Sequence, residues 1–163
     1  MMIVSKKTSM REYTIQKKLY ALLPKFIPKP LSYKNGVMTM AKQGVSLKRW
    51  LKTHPRVSNA VIKQIINNVR LILMKIRRKY PGFRHMDLHL GNLLFYKGRV
   101  MLIDFDMSKM KAGRTRDTCY DYKFFLRSLK LLLFKLKRKL PVNSAPKSSV
   151  SAASLAKRLT GLR

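Results

Sequence analysis

Residues 84–108 read RHMDLHLGNLLFYKGRVMLIDFDMS, and this stretch decides which fold we expect. It holds Asp87, Asp104 and Asp106, in a chain that has only 6 acidic residues against 37 lysines and arginines. Because carboxylates are so scarce in this protein, their clustering in one short stretch predicts a site that needs them.

The same stretch has the pattern of a β-hairpin. Two apolar runs, at 93–95 and 100–103, are separated by the turn signal Lys97-Gly98. Asp104 follows the second run directly. Because a hairpin brings its two ends together, we expect the residues before the first strand to lie close to Asp104.

These residues include Asp87 and Asn92, so we expect two carboxylates and a carboxamide around one small space. In a basic protein this set suits Mg²⁺ and phosphate. Mg²⁺ prefers oxygen ligands and takes only one or two carboxylates beside substrate phosphates. With Asn92 and Asp104 as metal ligands, Asp87 would remain free to act as a base.

Residues 85–88 (HMDL), Asn92 and the later run at 103–105 (IDF) resemble the catalytic loop and metal-binding motif of the protein-kinase-like superfamily. The resemblance implies that Asp87 orients the acceptor hydroxyl and that Asn92 and Asp104 bind the metal. It also implies ATP as phosphate donor and a two-lobed α+β fold, with a reduced N-terminal sheet lobe and a mainly helical C-terminal lobe. The plain alternative is a chance His-x-Asp followed by an ordinary aspartate at the end of a strand.

The motif departs from most protein kinases at two positions. His89 stands where they have lysine, and Asp106 replaces the usual glycine of the metal motif. The pattern with His89 is similar to the aminoglycoside phosphotransferase, lipopolysaccharide kinase and atypical kinase branches, and Asp-Phe-Asp at 104–106 resembles the lipopolysaccharide-kinase type. We therefore expect a truncated, atypical serine/threonine protein kinase of viral type, with a small-molecule or lipopolysaccharide-type kinase as the alternative.

The N-terminal segment predicts a strand followed by a capped helix. Ser9 and Glu12 have the spacing of a capping box, and Glu12 is the only glutamate of the chain. The resemblance implies that a lysine on the strand pairs with Glu12 and grips the nucleotide phosphates. Val4 and Lys6 share a strand face, which favours Lys6 over Lys7.

A second hairpin is expected between residues 27 and 40, with Asn35-Gly36 as its turn. By the resemblance, the connector at 41–44 is the hinge whose backbone meets the adenine, which makes Met40 an expected nucleotide-binding residue. No glycine-rich loop precedes residue 6, so we expect either that something else covers the phosphates or that this is a truncated or minimal form of the superfamily.

Two longer helices are predicted in the second half of the chain. Residues 58–80 carry apolar side chains at helical spacing, and Ser58 caps them. Residues 122–140 mix leucines with lysines over too broad an arc for a membrane-surface helix, so we expect a core helix. Asp121 resembles the buried aspartate that braces the catalytic loop in the superfamily, with Asp117 as the alternative.

We expect one minimal domain at 1–140, with its N-terminal lobe at about 1–40 and its C-terminal lobe at about 45–140. Residues 141–163 are rich in Ser, Ala and Lys and predict a disordered basic tail.

The net charge of +31 predicts non-specific binding to nucleic acid or to acidic proteins. The competing hypothesis is therefore a non-catalytic, pseudokinase-like basic module. For the kinase we expect a protein substrate, an acidic one being favoured. A single cysteine excludes a disulfide within the chain, and no signal peptide or membrane-spanning run is visible. We accordingly expect an intracellular protein, cytoplasmic or associated with a virion.

Overall fold

The structure is a computed structural model that describes residues 3–41, 43–110 and 120–136. Within these ranges the protein is a mixed α+β fold with two three-stranded antiparallel sheets and four α-helices. The expectation of an α+β fold is thus confirmed. The predicted tail at 141–163 and Asp117 lie outside the described residues.

The first sheet contains β1 (Ile3–Lys7), β2 (Pro30–Lys34) and β3 (Val37–Ala41) in the order β1-β3-β2, which makes β3 the central strand. Asn35 and Gly36 join β2 to β3 with φ angles of 50° and 72°. Positive φ at both positions is what a type I′ hairpin turn requires, so the Asn-Gly pair forms the predicted turn.

Helix α1 (Met10–Leu22) links the first two strands of this sheet. The side chain of Ser9 accepts a hydrogen bond from the backbone N–H of Glu12 at 3.1 Å, as predicted for the helix cap. Ile15 and Leu19 are buried on the inner face of the helix, together with the polar Glu12. The cap therefore fixes where the helix begins, and the apolar face turns Glu12 inwards.

The second sheet contains β4 (Val45–Ser46), β5 (Leu93–Tyr96) and β6 (Arg99–Leu102) in the order β4-β5-β6. The predicted hairpin is β5-β6. Strand β4 was not predicted, because two residues are too short to show an alternating pattern. Gly44 permits its close approach, since a Cβ on Gly44 would lie 2.2 Å from the carbonyl oxygen of Phe95.

Three further helices complete the fold: α2 (Leu47–Thr53), α3 (Asn59–Lys79) and α4 (Tyr120–Lys135). Helix α3 matches the predicted span, and Ser58 caps it. The last predicted helix begins at Tyr120 with Asp121 in its first turn, as expected, and residues 137–140 of its predicted span lie outside the described ranges. Among the described residues, no helix is both long and apolar enough to cross a membrane.

A hydrophobic core runs continuously from α1 through α3 and the second sheet to α4. Its fully buried members include Leu19, Ile65, Ile72, Phe83, Phe105, Phe125 and Leu129. Phe83 directly precedes the loop at 84–92, and Phe105 lies within the segment at 103–108. Because both rings are buried, the core anchors both segments.

Candidate active site

Lys6, Glu12 and Asp104 form a compact ionic cluster at the end of the β5-β6 hairpin. The Lys6 Nζ lies 2.8 and 3.0 Å from the two carboxylate oxygens of Glu12 and 2.7 Å from Oδ1 of Asp104, 98 residues away in the chain. The expected contact between Lys6 and Glu12 is therefore present. Partial burial lowers the pKa of Lys6, but its hydrogen bonds to Asp104 and Glu12 outweigh this and raise it above 10.5.

Glu12 connects this cluster to the backbone of the metal motif. Its side chain is only 1% exposed, and its Oε1 also accepts a hydrogen bond from the backbone N–H of Phe105 at 3.1 Å. Thr8 donates its hydroxyl to the other carboxylate oxygen. A buried carboxylate needs such partners to offset its lost hydration. Glu12 therefore holds both Lys6 and the residue that follows Asp104.

The backbone of Asp104 is in the left-handed region, with φ at 66°. Aspartate tolerates this conformation better than bulky residues, and such conformations are common at functional sites. Its carboxylate remains 40% exposed. Asp106 lies apart from the cluster, with a marginal contact of 3.5 Å from the Ser9 hydroxyl to its carboxylate. Asp104 is thus the aspartate of this segment that the ionic cluster includes.

Asp87 and Asn92 face each other within the loop that precedes β5. The Asn92 side-chain Nδ2 donates to the backbone carbonyl of Asp87 at 2.9 Å and to its carboxylate at 3.0 Å. A single 3₁₀ turn, Leu90–Asn92, provides the required reversal. These bonds use the amide nitrogen of Asn92. Its amide oxygen accepts no hydrogen bond within the described part of the chain.

His89 borders the same carboxylate. Its Nδ1 accepts a hydrogen bond from the backbone N–H of Gly91 at 2.9 Å, and its Nε2 lies 3.5 Å from the Asp87 carboxylate. Because Nδ1 is an acceptor, the ring proton is assigned to Nε2 in the neutral form. The proton-bearing edge of His89 therefore faces Asp87.

The two halves of the site meet through the backbone. The N–H of Ile103 donates to the carbonyl of Asn92 at 3.1 Å, and Leu93 pairs with Leu102 in the hairpin. The loop that carries Asp87 and Asn92 is thereby tied to the residue preceding Asp104. The expected convergence is therefore seen in the backbone, while the side chains form two groups: Asp87 with Asn92, and Asp104 with Lys6 and Glu12.

Asp121 braces the loop from behind and is fully buried. Its two carboxylate oxygens accept the backbone N–H groups of His85 and Met86, both at 3.0 Å, and it pairs with Arg77 at 2.9 Å. Met86 has a φ of 69°, which is uncommon for a long side chain. Asp121 was the expected brace. Arg77 was not predicted, because nothing distinguishes it in sequence from the other basic residues.

His85 fills the space behind the loop, as expected of a structural residue. Its Nε2 lies 3.0 Å from the carbonyl oxygen of Ile103, so Nε2 carries the proton, and its buried Nδ1 has no partner in the described part of the chain. Burial lowers the pKa of His85 below 6.5, and the bond to Ile103 only partly opposes this. The ring packs 5.3 Å from that of Phe105.

Met40 lies in the central strand of the first sheet, between Val4 and Pro30. Its side chain is buried, and its sulfur lies 3.6 Å from the amide nitrogen of Gln16, one helical turn beyond Glu12. Met40 forms no hydrogen bond with Lys6, Glu12 or Asp104, all of which the structure describes. Its role in binding adenine therefore stays a prediction.

Oxygen donors that suit Mg²⁺ are present at the expected positions. The half-exposed carboxylate of Asp104 and the amide oxygen of Asn92 are hard ligands of the kind that Mg²⁺ selects. In residues 3–41, 43–110 and 120–136, no group of three or more His, Cys, Asp or Glu side chains is arranged to hold a metal. Asn92 contacts Asp87 and Asp104 contacts Lys6, so the binding of Mg²⁺ between Asn92 and Asp104 stays a prediction.

Neither the family models nor the curated proteins with which the chain was compared gave a match.

Proposed function

We propose that this protein is an ATP- and Mg²⁺-dependent phosphotransferase with a reduced, two-lobed protein-kinase-like fold. The proposal rests chiefly on one observation: Lys6 bridges Glu12 of α1 and Asp104 at the end of the hairpin. A strand lysine, a helix glutamate and a motif aspartate in direct contact are the parts that hold nucleotide phosphates and metal in that superfamily.

Lys6 supplies the positive charge for the phosphates. Glu12 holds its ammonium group from the buried side, and a third of the Lys6 side chain stays exposed. A lysine held in this way needs little reorganisation to meet a phosphate oxygen, so the ion pair orients the charge before the nucleotide arrives.

Asp104 and Asn92 would hold Mg²⁺. When bound, the metal neutralises charge that develops on the transferring phosphate oxygens. The contribution of the chain is to present the two oxygen ligands from a rigid hairpin end, where Glu12 and the Asn92 carbonyl secure the backbone on either side of Asp104.

Asp87 would orient the acceptor hydroxyl and take its proton. Its carboxylate is 43% exposed, so an acceptor can reach it. The Asn92 amide fixes one carboxylate oxygen without bringing a full positive charge to it. A carboxylate held in this way keeps the acceptor capacity that general-base catalysis needs.

The acceptor we favour is a serine or threonine of a protein. Leu93 begins β5 immediately after Asn92, which leaves no insertion there to form a dedicated small-molecule pocket. The chain's own tail offers Ser144, Ser148, Ser149, Ser151 and Ser154 as the nearest candidate acceptors.

The deciding experiment is a titration of the full chain with ATP–Mg²⁺ by calorimetry, for the parent, Asp104→Asn and Asp106→Asn. Asp106→Asn is the matched control, because it makes the same change two residues away outside the cluster. We expect Asp104→Asn to abolish Mg²⁺-dependent binding and the control to keep it. Equal affinity of Asp104→Asn and the parent would exclude Asp104 as a metal ligand.

The net charge of +31 supports a second candidate function, a non-catalytic basic module that binds nucleic acid. Its signature would be a log K that falls linearly with log salt concentration, with no ATP–Mg²⁺ binding at all. A flat salt response would remove this candidate.

A further inference from the structure

A cavity of about 400 Å³ opens between α2 and α4, next to the loop of Asp87. We call it the basic cavity. Three lysines and one histidine line it, together with leucines from the 3₁₀ turn and from α4. The lining residues that matter here are Lys48, Lys52, Lys135, His89, Leu90 and Leu132.

The lysines that line the basic cavity give it a positive charge. Lys48 and Lys52 are four residues apart on α2, so their side chains share a helix face. Lys135 approaches from the end of α4, and no acidic residue is among those that line the cavity. A concave site with positive charges on a low-dielectric wall attracts anions. The structure therefore favours an anionic occupant.

The floor of the cavity is apolar, and the Ser128 hydroxyl in its lining already accepts a hydrogen bond from the protein. Leu90 and Leu132 are buried, and the Ser128 hydroxyl accepts a hydrogen bond from the backbone N–H of Leu90 at 3.2 Å. Leu131 stays 55% exposed at the rim. An occupant would thus meet positive charge at the rim and apolar surface below it.

His89 connects this cavity to the candidate catalytic group. His89 is one of the residues that line the cavity, and its Nε2 lies 3.5 Å from the carboxylate of Asp87. Gly91 makes this position possible, since a Cβ there would lie 2.7 Å from the His89 ring. The cavity and the carboxylate of Asp87 therefore share His89 as a neighbour.

We propose that the basic cavity binds an acidic side chain of the peptide segment that carries the acceptor hydroxyl, an inference that rests on the proposed function. An extended chain advances about 3.3–3.6 Å per residue, which puts this side chain about two or three residues from the hydroxyl. Lys48 and Lys52 are exposed, flexible point charges, unlike the rigid fork of arginine. The two lysines attract negative charge without requiring a fixed orientation of the bound group. This property suits acidic peptides of varied sequence better than one defined small molecule.

The test uses the full chain and three heptapeptides, whose central serine is replaced by alanine and flanked by glutamates, alanines or lysines. Binding is measured by calorimetry at about 150 mM salt, where long-range attraction is screened. The variant is Lys48→Glu with Lys52→Glu, and the control is Lys18→Glu with Lys63→Glu. Both pairs are exposed, and both variants change the net charge equally.

We expect the glutamate peptide to bind the parent and the control alike, and the cavity variant about tenfold more weakly, as expected when exposed ion pairs become repulsive contacts. An equal loss in both variants, or equal binding of the alanine peptide by the parent, would overturn the proposal. Displacement of the peptide by a lower concentration of a phosphorylated sugar would overturn the assignment to a peptide.

A separate arm tests catalysis with the serine form of the glutamate peptide and radiolabelled ATP. The first possible outcome is that the parent transfers no label to the serine peptide, while binding of the alanine form of the glutamate peptide still depends on Lys48 and Lys52. In that case the phosphotransferase proposal fails and the cavity stands as a peptide-binding site. If label is transferred equally by the parent and the cavity variant, with unchanged KM, the phosphotransferase stands and the cavity proposal fails.

Discussion

Asp104 and Asp87 are almost equally exposed, at 40% and 43%, yet they have different partners. The carboxylate of Asp104 lies 2.7 Å from the ammonium of Lys6. Asp87 meets the neutral amide of Asn92 and, at 3.5 Å, the ring of His89. Within the described ranges, no lysine or arginine forms an ion pair with Asp87.

This difference shows that exposure alone does not assign a role to a carboxylate. In a chain of net charge +31, it is unexpected that Asp87 forms no ion pair with any lysine or arginine that the structure describes. The backbone brace from Asp121 keeps the Asp87 loop in shape without neutralising it, while Lys6 and Glu12 stabilise Asp104 by charge. In the proposed function, the first region would hold phosphate and metal, and the second would hold the acceptor hydroxyl.

The largest expected effect is on Asp87. If the proposed function holds, we expect Asp87→Ala to lower the rate of phosphate transfer by about 10²–10⁴-fold, because the proposed general base is lost. ATP–Mg²⁺ affinity should change by less than about twofold, since the proposal has Asp87 contact the acceptor and not the nucleotide. Single-turnover kinetics and calorimetry measure the two quantities. If ATP–Mg²⁺ affinity falls together with the transfer rate, Asp87 has a structural role, and the Asp87 and Asp104 regions do not have separate functions.

The next effect is on stability. Asp121→Ala would leave Arg77 and the N–H groups of His85 and Met86 without their shared acceptor. Breaking a buried ion pair on one side costs about 3–5 kcal/mol, which urea unfolding should detect. Asp106→Ala, at an exposed position, should stay within about 0.5 kcal/mol of the parent. If the two variants lose equal stability, the hydrogen bonds and ion pair of Asp121 contribute little to the free energy of unfolding.

A smaller effect should follow pH. The pKa of His85 is lowered in the folded protein, so the unfolded chain binds more protons below pH 6.5. Stability from neutral His85 is therefore complete above pH 6.5 and falls as the pH drops towards the folded pKa, by at most about 1.4 kcal/mol per unit. His85→Gln should flatten this slope in urea unfolding, and His54→Gln, at an exposed position, should not. An unchanged slope in His85→Gln would place the titration elsewhere.

The smallest effect concerns Gly91. A methyl group there would displace the His89 ring, which lies 2.7 Å from the added carbon. We expect Gly91→Ala to cost less than about 1 kcal/mol of stability, because the ring can move. It should raise the KM for an acidic peptide a few-fold while ATP–Mg²⁺ affinity is unchanged. An equal change in both affinities would contradict the separation of the two regions.

Local patterns in the sequence predicted much of the site. The turn signals at 35–36 and 97–98, with the apolar runs beside them, located both long hairpins and placed Asp104 at a strand end. The serine caps located the starts of α1 and α3. Strand alternation selected Lys6 over Lys7. Each of these inferences depends on neighbours within a few residues, where backbone geometry restricts the choices.

Longer-range partners were harder to predict. Arg77 and the lysines of the basic cavity were missed, because 37 lysines and arginines look alike in sequence and only folding brings a few of them together. Strand β4 was missed because its pairing with β5 depends on Gly44 and on a distant carbonyl.

The sequence alone indicated the hairpins, the capped helices and the scarce carboxylates of the candidate site, and the α+β class followed from the resemblance. Folding was needed to show that Lys6 pairs with Asp104, 98 residues away, while Asp87 has no cationic ion-pair partner among the described lysines and arginines. The reason lies in how far apart in the sequence the interacting residues are. Turns, caps and strand alternation are set by backbone sterics and local hydrogen bonds, whereas the partner of a charged side chain depends on which distant surfaces the hydrophobic core brings together.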